Sequence, residues 1–196
     1  MARYSKEHKA RSRSALISAA AALFRRHGYE GVGIDDICAE AGLTRGAFYG
    51  HFGSKADLYE QVLAGHHDLV RRLAERPGRS PRRLAREATR VARDYLDPAH
   101  ANGVLGGCSL AALAMDTIRA EPPAQAAYAD AVSRVAAEFS RGLPDVKPDD
   151  ERALAALALC VGGLLVANAC GDQAIGARVA RAASRRVGDL LQEGVR

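Results

Sequence analysis

The sequence predicts an all-α protein of about nine helices, with a small N-terminal helix-turn-helix domain ahead of a larger helical body. Three observations lead there. Apolar residues recur at three- and four-residue spacing along most of the chain, and period-two alternation is almost absent. Gly and Pro mostly punctuate those periodic stretches at their ends. The 48% hydrophobic and 26% charged fractions over 196 residues are those of an ordinary folded chain, which excludes whole-chain disorder and low-complexity classes. The length suits one medium domain or a small module joined to a larger one.

The elements follow in order. The first helix is expected over about Ser12 to His27, where Leu16, Ile17, Ala20, Ala21, Leu23 and Phe24 fall at helical spacing and Gly28 supplies the stop. The second, Ile34 to Ala41, places Ile34, Ile37, Cys38 and Ala41 on one face, and Gly42 ends it as a left-handed C-cap. Thr44 caps a third, about Arg45 to Phe52, closed by Gly53. Ser54 and Asp57 stand in capping-box spacing and open a long helix toward Glu75, which Pro77-Gly78 breaks. Ser80-Pro81 begins the next, with Pro at the first helical position. After Asp97-Pro98 a Gly-rich joint, Gly103 to Gly107, leads into a helix from Cys108 toward Ile118. Pro122-Pro123 opens one ending near Gly142, and Pro144 and Pro148 mark a loop. Two last helices run over about Asp149 to Cys170 and Asp172 to Gln192.

The formal net charge of +5 is unevenly placed. Residues 1–13, 14–60 and 61–96 carry +4, −2 and +5, so the chain to residue 96 is +7 against −2 for the remainder. A basic half beside a slightly acidic one points to a polyanion-binding end and a neutral body. Cys38, Cys108, Cys160 and Cys170 lack the CxxC spacing of a zinc site and are too sparse for a disulfide framework, so a reducing cytoplasm is expected. The opening residues MARYSKEHKARSRS contain no apolar stretch able to act as a secretory signal. No nucleophile–base pair or phosphate loop is legible, so no enzyme is expected. His66, His67 and His100 are accompanied by no carboxylate spacing that completes a metal site, and neither metal nor cofactor is expected.

The segment Ile34 to Phe52 carries the sharpest signal. Two short helices joined by Ala41-Gly42-Leu43-Thr44 describe a helix-turn-helix. In that motif the second helix lies in the DNA major groove with its N-terminal residues against base edges. The expected DNA contacts are Thr44, Arg45, Gly46, Ala47, Tyr49, His51 and Lys55. Arg45 suits a guanine edge in bidentate fashion, and Gly46 and Ala47 keep the surface low. Thr44, Tyr49, His51 and Lys55 supply donors for flanking phosphates, and the helix N-termini at Thr44 and Ser54 add backbone N–H groups. Phe48 and Phe52 point inward to pack with Leu16, Phe24 and Ile37.

The stretch Gly28 to Leu58, GYEGVGIDDICAEAGLTRGAFYGHFGSKADL, resembles the DNA-binding signature of the tetracycline-repressor (TetR) family of bacterial regulators. The matching positions include Gly28, Tyr29, Ile37, Ala41, Gly42, Leu43, Thr44, Gly46, Tyr49, His51, Phe52, Lys55 and Leu58. The resemblance implies a DNA-binding domain at residues 1–53 and a ligand-binding and dimerisation domain at 54–196. It also implies that Thr44, Arg45, Gly46, Tyr49, His51 and Lys55 touch operator DNA. The run Gly106 to Ser109 resembles a branch of the same family. Two places depart from the family pattern. Val32 and Gly33 stand where Thr and Ser or Thr are usual, removing a hydroxyl cap and a phosphate contact, and position 50 is Gly. The basic arm from Arg3 to Arg13 is expected to compensate by tracking a phosphate or entering the minor groove.

One helix reads too few bases alone, so a homodimer on a palindromic site of double-stranded DNA is expected. Ala153 to Cys170 is uncharged over 18 residues, at the lower limit for a membrane span. Leu154, Leu157, Val161, Leu164 and Asn168 instead follow the three-four spacing of a helix-packing seam, and no membrane partner is expected. In the last helix Ile175, Val179, Val187, Leu190 and Leu191 are expected inward, with Arg178, Arg181 and Arg185 outward. By resemblance, a small molecule binds among the middle helices and releases the operator. With few aromatics beyond residue 60, an apolar effector lined by Tyr95, Cys108, Met115, Tyr128 and Asn168 is the expectation. The reading is therefore a cytoplasmic, ligand-responsive repressor. Two alternatives stand beside it: a redox or electrophile sensor through Cys108, with a thiol pKa lowered at a helix N-terminus, and a DNA-binding protein without a ligand.

Overall fold

The computed structural model describes residues 2–65, 68–97, 108–143 and 151–193. Among them lie eleven α-helices and no extended strand. In chain order they are α1 (Ala2–His27), α2 (Ile34–Ala41), α3 (Arg45–Tyr49), α4 (Lys55–Gly65), α5 (Asp68–Ala74), α6 (Pro81–Tyr95), α7 (Ser109–Ala112), α8 (Ala114–Ile118), α9 (Pro122–Ser140), α10 (Glu151–Ala169) and α11 (Gln173–Gln192). His66, His67, His100, the Gly103 to Gly107 joint, and Pro144 and Pro148 fall outside the described residues. The chain forms two compact units, Met1–His66 with Ala112–Ala129, and His67–Ala111 with Asp130–Arg196. A single cut after residue 53 does not describe this division. Residues 54–66 and the segment from Ala112 to Ala129 belong with the helix-turn-helix.

The first unit grows from α1, which starts about ten residues earlier than its apolar pattern. Residues 2–13 hold neither Gly nor Pro and are mostly good helix formers, so the basic stretch is helical from Ala2 onward. The expected arm is thus the first turns of α1, not an extended tail. Gly28, at φ 72°, stops α1, and its N–H donates to the Phe24 carbonyl over 2.8 Å. The core gathers Leu16, Ala20, Phe24, Val32, Ile37, Phe48, Phe52, Leu58, Tyr59, Val62 and Leu63, joined by Leu113 and Ala124. Each is buried, and each side chain of this size contributes about 1.5–3 kcal/mol relative to exposure, Ala less.

The second unit is built on α10 and α11. Asp172 caps α11, its carboxylate accepting from Ala174 and Ile175 N–H at 2.7 and 3.2 Å. A side chain at Gly163 would come within 2.7 Å of the Ala183 Cβ, so Gly163 permits the close helix approach. Buried Ala153, Ala156, Leu157, Cys160 and Leu164 of α10 fill this unit together with Ala180, Ala183, Val187 and Leu191 of α11. The buried guanidinium of Arg76 ties the end of α5 to α9, donating to the Leu73 carbonyl and to the Glu138 carboxylate and carbonyl. By length and composition α10 could cross a membrane.

Several expectations are corrected here. The predicted seam divides: Leu157 and Leu164 are buried, whereas Leu154 and Asn168 are exposed, because the spacing straddles two faces of a helix that packs on one side. Ile175 is exposed in the first turn of α11, and Cys170, in the turn between α10 and α11, is half-buried. The long helix expected from Ser54 toward Glu75 is described as α4 and α5, on either side of residues 66 and 67, which lie outside the described residues. The helix from Cys108 to Ile118 is two, interrupted at Leu113, whose carbonyl accepts from the Thr117 N–H and hydroxyl at 2.9 and 2.8 Å.

Candidate nucleic-acid interface

The interface is assembled by the turn between α2 and α3. Gly42 sits at φ 64°, ψ 33°, and the N–H groups of Gly42 and Leu43 close the end of α2 on the carbonyls of Ala39 and Cys38. Thr44 then caps α3, its Oγ1 accepting from Ala47 N–H at 3.2 Å. Phe48 anchors α3 in the core, edge-on to Tyr49 and tilted against Phe52. With the inner side fixed by Phe48, the outer side presents Thr44, Arg45, Gly46 and Tyr49 to solvent, and Tyr49 is 55% exposed. Ala47 is half-buried beside them. A side chain at Gly46 would meet only the Thr44 hydroxyl, at 3.8 Å, so the face is low here.

Three of the predicted contacts have partners the sequence did not reveal. Arg45 Nε lies 3.2 Å from the Asp35 carboxylate, with both side chains largely exposed. His51 follows α3, its ring against Phe52, and two cations of α1, Lys9 and Arg13, act on it. Burial and then those charges pull its pKa below the ordinary 6.5. Arg13 is itself fixed, its guanidinium donating to Gln61 Oε1 over 2.7 Å and lying 5.3 Å from the Phe52 ring centre. The basic stretch of α1 and the end of α3 therefore share one electropositive corner. Lys55 differs most from expectation. Its ammonium donates to the carbonyls of Tyr29 and Val32, at 3.0 and 3.1 Å, and stands 4.1 Å from the Tyr29 ring centre. Two of its three N–H donors thus close the turn between α1 and α2, and it is a buttress before it is a phosphate donor.

The departures from the TetR pattern also have structural consequences. Gly33 caps α2 without a side chain, and Asp36 completes half of a capping box by accepting the Gly33 N–H at 2.7 Å. Val32 is buried in the core. The position lost to a hydroxyl is thereby taken over by packing.

Comparison with known proteins agrees with this geometry. The family described as "Bacterial regulatory proteins, tetR family" matches residues 16–62, which contain the C-terminal part of α1, all of α2 and α3, and most of α4. Over these residues the chain is similar to the DNA-binding part of that family. The HTH-type transcriptional regulator TtgR of Pseudomonas putida is 38% identical over 74 residues, 38% of this chain and 35% of that protein. The match thus spans about a third of the length of this curated relative. The fold likeness reaches further. A TetR transcriptional regulator from Chloroflexus aurantiacus superimposes with a TM-score of 0.73 at 23% identity, covering 95% of this chain and 97% of that one. The reduced form of E. coli NemR gives 0.72 at 19% identity, covering 90% of this chain and 94% of that one. The family match thus lies in the helix-turn-helix region, whereas the likeness in fold to these two structures extends over nine-tenths or more of the chain.

The predicted effector lining is shared between the two units. Tyr95, Cys108 and Asn168 belong to the second unit, Met115 and Tyr128 to the first. Met115 is 57% exposed, and Asn168 is exposed with its amide donating to the Leu164 carbonyl of its own helix. Cys108 is buried, and desolvation pushes its thiol pKa up. Hydrogen bonds from Tyr95 and the backbone of Ala111 and Leu110 oppose this without overcoming it. The lowered pKa expected from a helix N-terminus is therefore reversed, since burial dominates and α7 is only four residues long. Tyr128 lines an apolar groove of about 470 Å³ with Ala114, Thr117, Ile118 and Gln125. Among the described residues no group of three or more His, Cys, Asp or Glu is placed to hold a metal.

Proposed function

We propose that this protein is a DNA-binding transcriptional regulator that acts as a homodimer on a palindromic operator, and that it represses until a small apolar molecule releases it. The observation that carries the reading is the division of α3 between a buried anchor, Phe48, and an exposed face of Thr44, Arg45, Gly46 and Tyr49. A helix so presented fits a major groove, where Arg45 is long enough to reach a guanine edge in bidentate fashion. Thr44, Tyr49, His51 and the remaining N–H of Lys55 are the donors for phosphates on either side. Lys9 and Arg13 extend the cationic surface beside His51.

Dimerisation is supported by the apolar side chains that α10 and α11 leave in solvent, Leu154, Leu165, Val166 and Ile175. A face of this kind on a helix pair is suited to a four-helix seam with its own copy. The groove beside Tyr128 is in the size range of small-molecule sites and favours an uncharged ligand. Fluorescence anisotropy with DNA from upstream of the protein's own coding sequence tests the reading. Tight, salt-sensitive binding to one sequence is expected, and equal affinity for all duplexes would overturn it.

A further inference from the structure

The turn that joins α1 to α2 is held from both sides. On one side the Tyr29 N–H donates to the Asp116 carboxylate of α8 over 3.1 Å, and the same carboxylate lies against Gly28. On the other, Lys55 of α4 takes the Tyr29 and Val32 carbonyls. The Tyr29 ring is enclosed by Phe24 and Tyr59, with centroids 5.6 and 4.8 Å away. Tyr59 is in turn fixed to α8, its hydroxyl 3.0 Å from Thr117 Oγ1 and 3.3 Å from the Leu113 carbonyl. Burial pushes the Tyr59 pKa up to about 12, so it remains a neutral donor. One residue, Tyr29, thus has its N–H on an anion and its C=O on a cation, brought from 87 and 26 positions away.

We propose that Asp116 is a positioning residue for DNA recognition, fixing the Tyr29 peptide against Lys55 and so setting the direction in which α2 and α3 leave α1. The inference rests on the DNA-binding reading above. Gly28 supplies the left-handed backbone and so turns the Tyr29 N–H out of the helical ladder. That N–H is one that no α1 carbonyl satisfies, and a carboxylate is its strongest available acceptor. Without it the turn keeps only the Lys55 side of the grip. The recognition helix begins only a few residues beyond α2, so a small rotation there moves Arg45 and Tyr49 away from base edges. Phosphate contacts tolerate such a rotation better than bidentate base contacts do.

The test compares affinity for a duplex selected by the wild-type protein from a random pool with affinity for a scrambled duplex. Asp116→Ala is expected to lower that ratio about tenfold, the scale of one charge-assisted hydrogen bond. Scrambled-duplex affinity should change little, whereas mere loss of folded protein would lower both equally. Asp116→Asn retains an acceptor oxygen and is expected to recover much of the ratio, with the Tyr29 amide resonance moving back toward its wild-type position. Asp116→Glu keeps the charge but shifts the carboxylate by one methylene, so a lowered ratio is expected, and it decides the matter if the alanine variant fails to fold. A wild-type ratio in folded Asp116→Ala or Asp116→Glu protein would overturn the inference while leaving DNA binding intact. A wild-type protein with no preference among duplexes would remove the DNA-binding reading and this inference with it.

Discussion

Arg45 illustrates how one side chain can matter to function and little to folding. Its ion pair with Asp35 spans 3.2 Å, but both partners are more than half exposed, and exposed pairs are worth about 0–1 kcal/mol. Arg45→Ala is therefore expected to leave thermal unfolding nearly unchanged while costing about 1–3 kcal/mol of operator discrimination, measured by competition binding. His51 carries a pH signature. Its pKa lies below 6.5 in the free protein because of burial, Lys9 and Arg13, and a nearby phosphate would favour the charged form. Protons are then taken up on binding, so operator affinity should rise as pH falls through and below the ordinary histidine range, and His51→Gln should flatten that slope. For folding the sign is opposite: a depressed pKa gives stability that is present above 6.5 and lost as pH falls. Cys108, whose thiol is buried and raised in pKa, is expected to resist alkylation at neutral pH until the protein is denatured.

At the scale of the element, the helix-turn-helix is legible because local chemistry decides it. Gly42, Thr44 and Ser80-Pro81 act within their own turns: α2 ends at Gly42, and α3 and α6 start where their capping residues require. Gly42 offers a clean check, since a side chain there would meet nothing within 4 Å. Gly42→Ala should cost about 1–2 kcal/mol through backbone strain alone, read from denaturant midpoints. What stays hidden depends on distant partners. Lys55 is expected from its residue type to donate to a phosphate, but its ammonium is engaged by Tyr29 and Val32, 26 and 23 residues away. The basic N-terminus has no apolar periodicity, so its helix cannot be seen from hydrophobic spacing even though its residues favour one. Asp116 lies in a five-residue helix with no motif of its own.

At the scale of the molecule, the all-α class follows from periodicity, while the grouping of helices does not. Nothing in the local pattern of residues 112–129 announces that they join the unit of α1 to α4, because that is set by Leu113, Asp116 and Thr117 meeting Tyr59 and Tyr29 across the fold. The expected effector lining follows from residue type, and type does not say which unit a side chain reaches. The faces of α10 are hard to assign for a related reason, since an uncharged helix offers no polar side to orient it. Leu165 and Val166 remain exposed in the single chain, and the double variant Leu165→Glu, Val166→Glu is expected to shift a dimer to monomer in sedimentation experiments without unfolding it. Operator affinity should fall with it, because two linked half-sites bind far more tightly than one.

The most direct measurement is methylation protection of guanine N7 on DNA upstream of the protein's own coding sequence, comparing wild type with Arg45→Ala. Two protected clusters about one helical turn apart are predicted, symmetric about a centre, with guanine protection weakened in the variant. Protection that is absent, or that is the same with and without the Arg45 side chain, would contradict the assignment of α3 to the major groove.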